Sequence, residues 1–292
     1  MDAINIGVRL AQYGSLLSLF GLSAFATYAP RAAALLSRYL WIACLGLLAL
    51  AASAASLFVL AANMAGDPTS AADPATLWAV ISGTGAGWAW GVRIVALVAA
   101  LGVLKIRNPF PLLVASGVAV ASLAWAGHAA ADVGLPGAVH VLADILHLLA
   151  GGVWVGALIA FVRLVFRGGK DVKETAEALA SFAGVGSVVV AVLVSTGVVS
   201  LLYLTPWRPL PDLTTTLWGW LLIIKLAIFV GMFAMAAANR FVLTPRLQAA
   251  AAEGSTQALA GLKRSLIVET ALAFAIVALV SVLGTLAPPV TG

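Results

Sequence analysis

The chain has 292 residues, of which 63% are hydrophobic and only 9% charged, with a mean hydropathy of +1.09. A soluble globular domain carries about 25% charge, so this composition excludes a soluble enzyme or binding module and indicates an integral membrane protein. The net charge of +5 and pI near 9.7 are better explained by where the basic residues fall along a membrane chain than by a nucleic-acid partner, and none is expected.

A membrane-spanning helix takes about 20 mostly apolar residues. Eight segments qualify, at approximately 6–29, 39–64, 78–104, 110–131, 138–163, 175–204, 214–239 and 265–287. The opening MDAINIGVRLAQYG lacks the basic start of a signal peptide, and no cleavage site follows, so the first segment reads as a retained helix. The second holds the single cysteine, Cys44, in apolar surroundings that predict a packing role. One cysteine excludes an intrachain disulfide, a CxxCH haem attachment and a cysteine-based zinc site. The third segment contains SGTGAGWAWG at 82–91, whose glycines predict a bent or interfacial start. Pro30, Pro68, Pro74, Pro109, Pro136, Pro206 and Pro288 fall at or outside segment ends, as helix breakers should. Trp41, Trp78, Trp207 and Trp218 lie near segment ends and read as interfacial anchors. There is no internal repeat, and the 240–264 connection is too short and plain to be a catalytic module. Residues 1–292 thus read as one all-α, polytopic helix bundle.

Alternate connections carry Arg31 and Arg38; Lys105 and Arg107; Arg163, Arg167, Lys170 and Lys173; and Arg240, Arg246, Lys263 and Arg264. Twelve of the sixteen basic residues therefore share one side, which the positive-inside rule makes cytoplasmic. The opposite loops hold Asp67, Asp73, Asp132 and Asp212. Both termini then face the periplasm.

Ionisable groups within a bilayer are costly and usually face a bundle interior or cavity. Four stand out: Arg93, Asp144, Lys225 and Glu269. Counted from the nearest cytoplasmic charge, Arg93, Lys225 and His147 lie roughly 18, 22 and 24 Å up their helices, with Asp144 one turn above His147. These groups form one layer in the outer half of the membrane. They read either as an ion-pair network, with Arg93 and Lys225 sharing Asp144, or as a polar chamber open to the periplasm. Glu269, five residues after Arg264, falls near the cytoplasmic face, where Arg240 or Arg246 is the expected partner.

The stretch GHAAADVGLPGAVHVLADILH at 127–147 contains all three histidines, His128, His140 and His147. Pro136 and Gly137 mark a turn, after which His140, Asp144 and His147 are spaced i, i+4 and i+7 on one helix face. Imidazole is the commonest transition-metal ligand, and an outward-facing group of this kind suits copper, zinc or nickel. His140 and His147 are separated by about 10 Å of helical rise, so a ladder of partial sites is expected, with His128 completing one. Thioether selects Cu(I). Met232 and Met235, at i and i+3 in the seventh segment, and Met64 at the outer end of the second, are candidates for a metal path, although methionine is more often core filler. A b-type haem needs two histidines on facing helices, and three histidines allow one such haem at most. Trp154 and Gly151, Gly152 and Gly156 within HLLAGGVWVGAL read as packing residues that allow close helix approach.

GH at 127–128 followed by HxxxDxxHLLAGGxWxGAL from His140 to Leu158 resembles the copper resistance D family of bacterial inner-membrane proteins. The likeness continues in STG at 195–197, in LLIIKLAIFVGMFAMAAANRFVLTPRL at 221–247, in KRSLIVE at 263–269 and in APP at 287–289. It covers roughly residues 120–289. The resemblance implies an eight-helix bundle that handles copper, Cu(I) or Cu(II), at the periplasmic face and moves it inward with a periplasmic copper-binding protein of the copper resistance C type. It implies ligand roles for His128, His140 and His147, and structural or gating roles for Asp144, Lys225, Asn239 and Arg240. This chain carries no fused soluble copper-binding domain and few methionines. The leading expectation is a copper transport or homeostasis protein of the inner membrane, not an enzyme. The alternatives are a one-haem quinol or metal reductase and a non-transporting copper-binding assembly factor. Assembly into a homo-oligomer is left open.

Overall fold

In a bilayer every backbone N–H and C=O must be bonded within its own segment, and the apolar segments accordingly fold as helices. The computed structural model describes residues 2–36, 39–106, 108–127, 134–167, 172–205, 213–252 and 257–287, and among these there is no strand. The helices are α1 (Asp2–Tyr28), α2 (Pro30–Leu35), α3 (Tyr39–Ala65), α4 (Pro74–Gly83), α5 (Gly85–Gly102), α6 (Phe110–Ala121), α7 (Gly134–Phe166), α8 (Val172–Leu204), α9 (Leu217–Ala238), α10 (Thr244–Ala252) and α11 (Gln257–Leu283). Six helical stretches are long and apolar enough to cross a membrane, in α3, α5, α7, α8, α9 and α11. The α6 run is shorter, but a 3₁₀ turn over Ser122–Ala126 prolongs it to a rise of roughly 28 Å, close to the thickness of a hydrocarbon core. With the 27-residue α1 and with α6, these six build a polytopic helical membrane protein.

The glycine-rich start of the third segment is a break. Thr84 adopts an extended conformation, and its hydroxyl accepts from Gly87 N at 2.9 Å and donates to Val80 O at 2.8 Å. A Cβ at Gly87 would come within 2.1 Å of Val80 O, so only glycine permits this turn between α4 and α5. Further along, the α9 helix widens into a π turn over Asn239–Leu243 just before Pro245, which lacks a backbone N–H.

Helix α1 lies at the centre, packed on α3, α6, α7 and α11. That position explains its polar sequence. Gln12 donates to Ser53 and Ser56, both at 3.2 Å, and Ser23 meets Ser116 at 3.2 Å, all on buried faces. Lipid is as apolar as leucine, so association relies on close packing and interhelical hydrogen bonds. Both act here. A Cβ on Gly21 would lie 1.9 Å from Gly152 O, and one on Gly156 would lie 2.0 Å from the Gly21 carbonyl carbon. The α1 and α7 backbones therefore touch through Gly152-x-x-x-Gly156, whereas Gly151 faces open space. Inward of this crossing, Phe25, Phe161 and Phe182 pack edge to face around Leu164, Leu262 and Leu266.

The basic residues gather at one end. Arg31 pairs with Glu177 at 3.9 Å, the Arg163 guanidinium lies 5.1 Å above the Trp41 ring, and Lys263 Nζ lies 3.7 Å above Phe166. At the other end, Asp67 and Asp73 cap turns by accepting from Thr69 and Thr76. The side-chain hydrogen bonds from these threonines hold both carboxyls below the usual range, so the outer rim stays anionic.

Two readings of single residues are corrected. Trp218 is no interfacial anchor: it is buried with Leu213 and Leu283, while Trp41 and Trp78 are exposed as anchors should be. Trp207 lies outside the described residues. Cys44 is exposed on α3 rather than packed.

Overpacking costs about 1–3 kcal/mol when side chains can yield, and at the α1/α7 crossing the opposing atoms are backbone. Gly156→Leu is therefore expected to melt far below the wild type in detergent and to lose its monodisperse elution. Gly231→Ala, whose new methyl would have nothing within 4 Å, should melt like the wild type. Equal behaviour of the two variants would disprove the crossing's role.

Candidate functional site

A cavity of about 540 Å³ opens between α1, α7, α8, α9 and α11. Its wall is mostly aliphatic, and its polar groups converge from different helices: Arg9 and Tyr13 from α1, His140, Asp144 and His147 from α7, and Lys225 from α9. The i, i+4, i+7 spacing does place the three α7 groups along one wall, since all of them line this space. Gly151 and Trp154 continue the same face inward.

His147 is held from α8. Its Nδ1 lies 2.9 Å from Thr196 Oγ1, and that hydroxyl is 2.6 Å from Val192 O, to which it donates. With its one proton committed, Thr196 accepts from Nδ1–H, which leaves the Nε2 lone pair available as a metal donor. His140 is buried, with its ring stacked on Tyr203 at 4.6 Å and 17°. Asp144 Oδ2 lies 3.5 Å from where a Cβ of Gly127 would stand, an ordinary van der Waals contact. His128 and Asp132 lie outside the described residues. Among the described residues no three His, Cys, Asp or Glu side chains converge on one point, in keeping with the helical rise between His140 and His147.

The layer of charge does not form the shared ion pair that was one of its two readings. Arg93 does not reach Asp144. It is buried, and its Nε donates to Ser122 Oγ and its second terminal nitrogen to Ser122 O, both at 3.0 Å. It thereby satisfies carbonyl and hydroxyl oxygens where α6 gives way to its 3₁₀ turn. Lys225 and Asp144 act on each other electrostatically across the cavity, but among the described residues no ion pair joins them.

Glu269 also has partners other than those expected. Trp154 Nε1 donates to its Oε1 at 3.1 Å and Asn239 Nδ2 to its Oε2 at 2.8 Å. Arg240 is exposed and turned to α8, where its guanidinium donates to Ala183 O at 2.9 Å and to Ser187 Oγ. The physical reason is helical phase: Asn239 and Arg240 point roughly 100° apart, and only the amide faces α11. Of the methionines, Met232 is buried and lines the cavity. Met235 is half-buried and does not line it, and Met64 is exposed at the outer end of α3.

Sequence reasoning missed three contributors. Arg9, near the outer end of α1, drew no reading from the sequence; it lines the cavity, packs over Gly284 and lies 5.6 Å from the Tyr13 ring. Thr196 lay in the STG motif without an assigned role. Trp154 looked like packing because its hydrogen-bond acceptor is 115 residues away.

Two family models match the chain: one described as copper resistance protein D-like, N-terminal domain, over residues 1–139, and one described as copper resistance protein D, over residues 176–283. The first extends the likeness to the N-terminal residues that carried no recognisable motif. Copper resistance protein D of Pseudomonas syringae pv. tomato is 35% identical over 98% of this chain and 97% of its own length. Inner membrane protein YebZ of Escherichia coli is 27% identical over 59% of this chain and 60% of its own. No solved structure matches. With similarity running through nearly the whole chain, the chain belongs to the copper resistance protein D family.

Proposed function

We propose that this multi-pass protein of the bacterial inner membrane receives copper at the periplasmic mouth of the cavity and passes it inward along the α7 wall. The observation that carries this reading is the convergence of His140, Asp144 and His147 on one 540 Å³ cavity whose inner wall includes Met232. Imidazole and carboxylate accept either copper oxidation state, and thioether favours Cu(I). Copper is the cargo here, and the donor set fits it. A periplasmic copper-binding protein of the copper resistance C type would deliver the ion, and the anionic rim at Asp67 and Asp73 would favour its approach. His128 would complete an outer site with His140 or Asp144.

Family membership supports a copper-related role, and family and site both favour a transporter over an enzyme. A haem between facing helices finds no pair in His140 and His147, which stand on the same helix. Such a haem would have to recruit His128.

Arg9 and Lys225 repel a bare cation. The cargo therefore enters with its charge offset by Asp144 or by ligands that come with it. The Thr196 hydroxyl, by fixing the Nδ1–H tautomer of His147, keeps Nε2 ready. Partners of this kind typically alter metal affinity 10- to 100-fold.

Replacing both His140 and His147 with alanine should abolish most of the copper bound by purified protein, measured by elemental analysis after desalting. Unchanged stoichiometry would sink the proposal. Thr196→Val should weaken copper binding about tenfold in competition with a chromophoric chelator, while Thr196→Ser should retain wild-type affinity. In proteoliposomes containing an internal copper dye, the wild type should fill the lumen and the double histidine variant should not. Copper bound without uptake would instead favour an assembly factor.

A further inference from the structure

Glu269 is not explained by a copper path. It is 2% exposed, lies in the apolar inner half of the bundle, and makes no ion pair among the described residues. Two N–H groups hold it instead, from Trp154 on α7 and Asn239 in the π turn. The charged residues nearest on the packed elements are directed elsewhere: Arg240 to α8, and Lys263 over the Phe166 ring. The site adjoins the cavity. Trp154 lines that space with its ring, fixed edge-on by Phe229 at 5.9 Å, while its Nε1 bonds to Glu269. Ala273, one helical turn outward from Glu269, also lines it.

Asn239 is the second observation. Its side chain is 93% buried, and its Oδ1 has no hydrogen-bond partner. The amide has two orientations. With Nδ2 toward Glu269, the carboxylate accepts and Oδ1 is left unpaired. With Oδ1 toward Glu269, the carboxyl must carry a proton to donate. Each orientation makes one contact with Glu269 and leaves the other end of the amide without that contact; the ionised carboxylate permits only the first, and a proton on Glu269 is required for the second. π turns recur at functional sites, and this one begins at the residue whose side chain must turn over.

We propose that Glu269 and Asn239 form a proton-exchange site at the inner end of the cavity, in which Glu269 binds a proton as the Asn239 amide turns over. A proton from water adds to Oε2, the new O–H donates to Oδ1, and Nδ2 moves to where Oδ1 stood; nothing is oxidised or reduced. Release runs the same steps backward. Trp154 is a positioning residue that favours the ionised form through its N–H. The coupling of this proton to cargo rests on the copper reading above: a positive charge at His147, about 10 Å along α7 from Trp154, would favour the ionised form of Glu269. Loading the cavity would then expel the proton.

Infrared spectroscopy of the purified full-length protein in copper-free buffer tests the site apart from the copper reading. Titrating pH should reveal a protonated-carboxyl C=O band that is missing in Glu269→Gln and retained in Asp144→Asn. Trp154→Phe keeps the carboxyl but removes one donor to its charged form, and should move the midpoint of that band to higher pH by about one unit. A band set unaltered by Glu269→Gln would overturn the proposal, and so would an unmoved midpoint in Trp154→Phe. Adding Cu(I) then reads the coupling, as loss of the Glu269 band in the wild type but not in the double His140 and His147 alanine variant.

Discussion

The backbone contact between Gly21 and the Gly152 and Gly156 turns is the constraint on which the cavity depends. Helix α7 bears His140, Asp144, His147 and Trp154 on one face, and the two glycines lie roughly a third of a turn away. Backbones in contact leave no slack for α7 to rotate, since any side chain at the crossing would meet carbonyl oxygens within about 2 Å. Fixing the glycine face against α1 therefore aims the histidine face at the space between α1, α8, α9 and α11. Small residues thus set the direction in which large polar ones point. A membrane bundle needs this kind of contact because exclusion from water contributes little to helix association there.

Around that crossing, the polar groups fall into two kinds. Arg93 and the buried serines of α1 satisfy one another or nearby carbonyls and hold helices together. Arg9, Asp144, His147 and Lys225 face a common space, and between Asp144 and Lys225 that space replaces a direct bond. In a low-dielectric interior, separated charges of opposite sign are expensive unless solvent or ligand reaches them. Their separation is therefore unlike a structural ion pair, whose members touch.

Much of this was legible in the sequence because bilayer physics leaves few choices. Apolar run lengths gave the crossings, the glycine-rich 82–91 stretch gave the α4/α5 break, and helical periodicity put His140, Asp144 and His147 on one wall. Depth counting brought Lys225 and Asp144 to one level, but depth says nothing of azimuth, and Arg93 at a similar height points to Ser122 instead. Glu269 misled for a related reason. Its nearest charges in sequence are basic, whereas its actual partners, Trp154 and Asn239, are neutral donors whose approach depends on how three helices are rotated. Trp218 was misjudged because position near a segment end does not fix which way the ring faces. Met232 and Met235 show the same limit: an i, i+3 spacing assigns a face, and only packing decides that Met232 lines the cavity and Met235 does not.

The spacing of the donors along α7 bears on the proposed passage of copper. A closed site of three or four donors would hold copper tightly and release it slowly, which suits storage. Conduction needs sites strong enough to draw the ion in and weak enough to let it leave. On the proposed copper route, His140, Asp144 and His147, spread over about 10 Å of helix, with Met232 farther in, would give short steps between partial sites rather than one deep well. The fixed cations Arg9 and Lys225 would lower the affinity of each step further. On that proposal, the tautomer set by Thr196 and the spacing set by the helix would matter more than the number of ligands, because they would determine whether each donor is ready when an ion arrives.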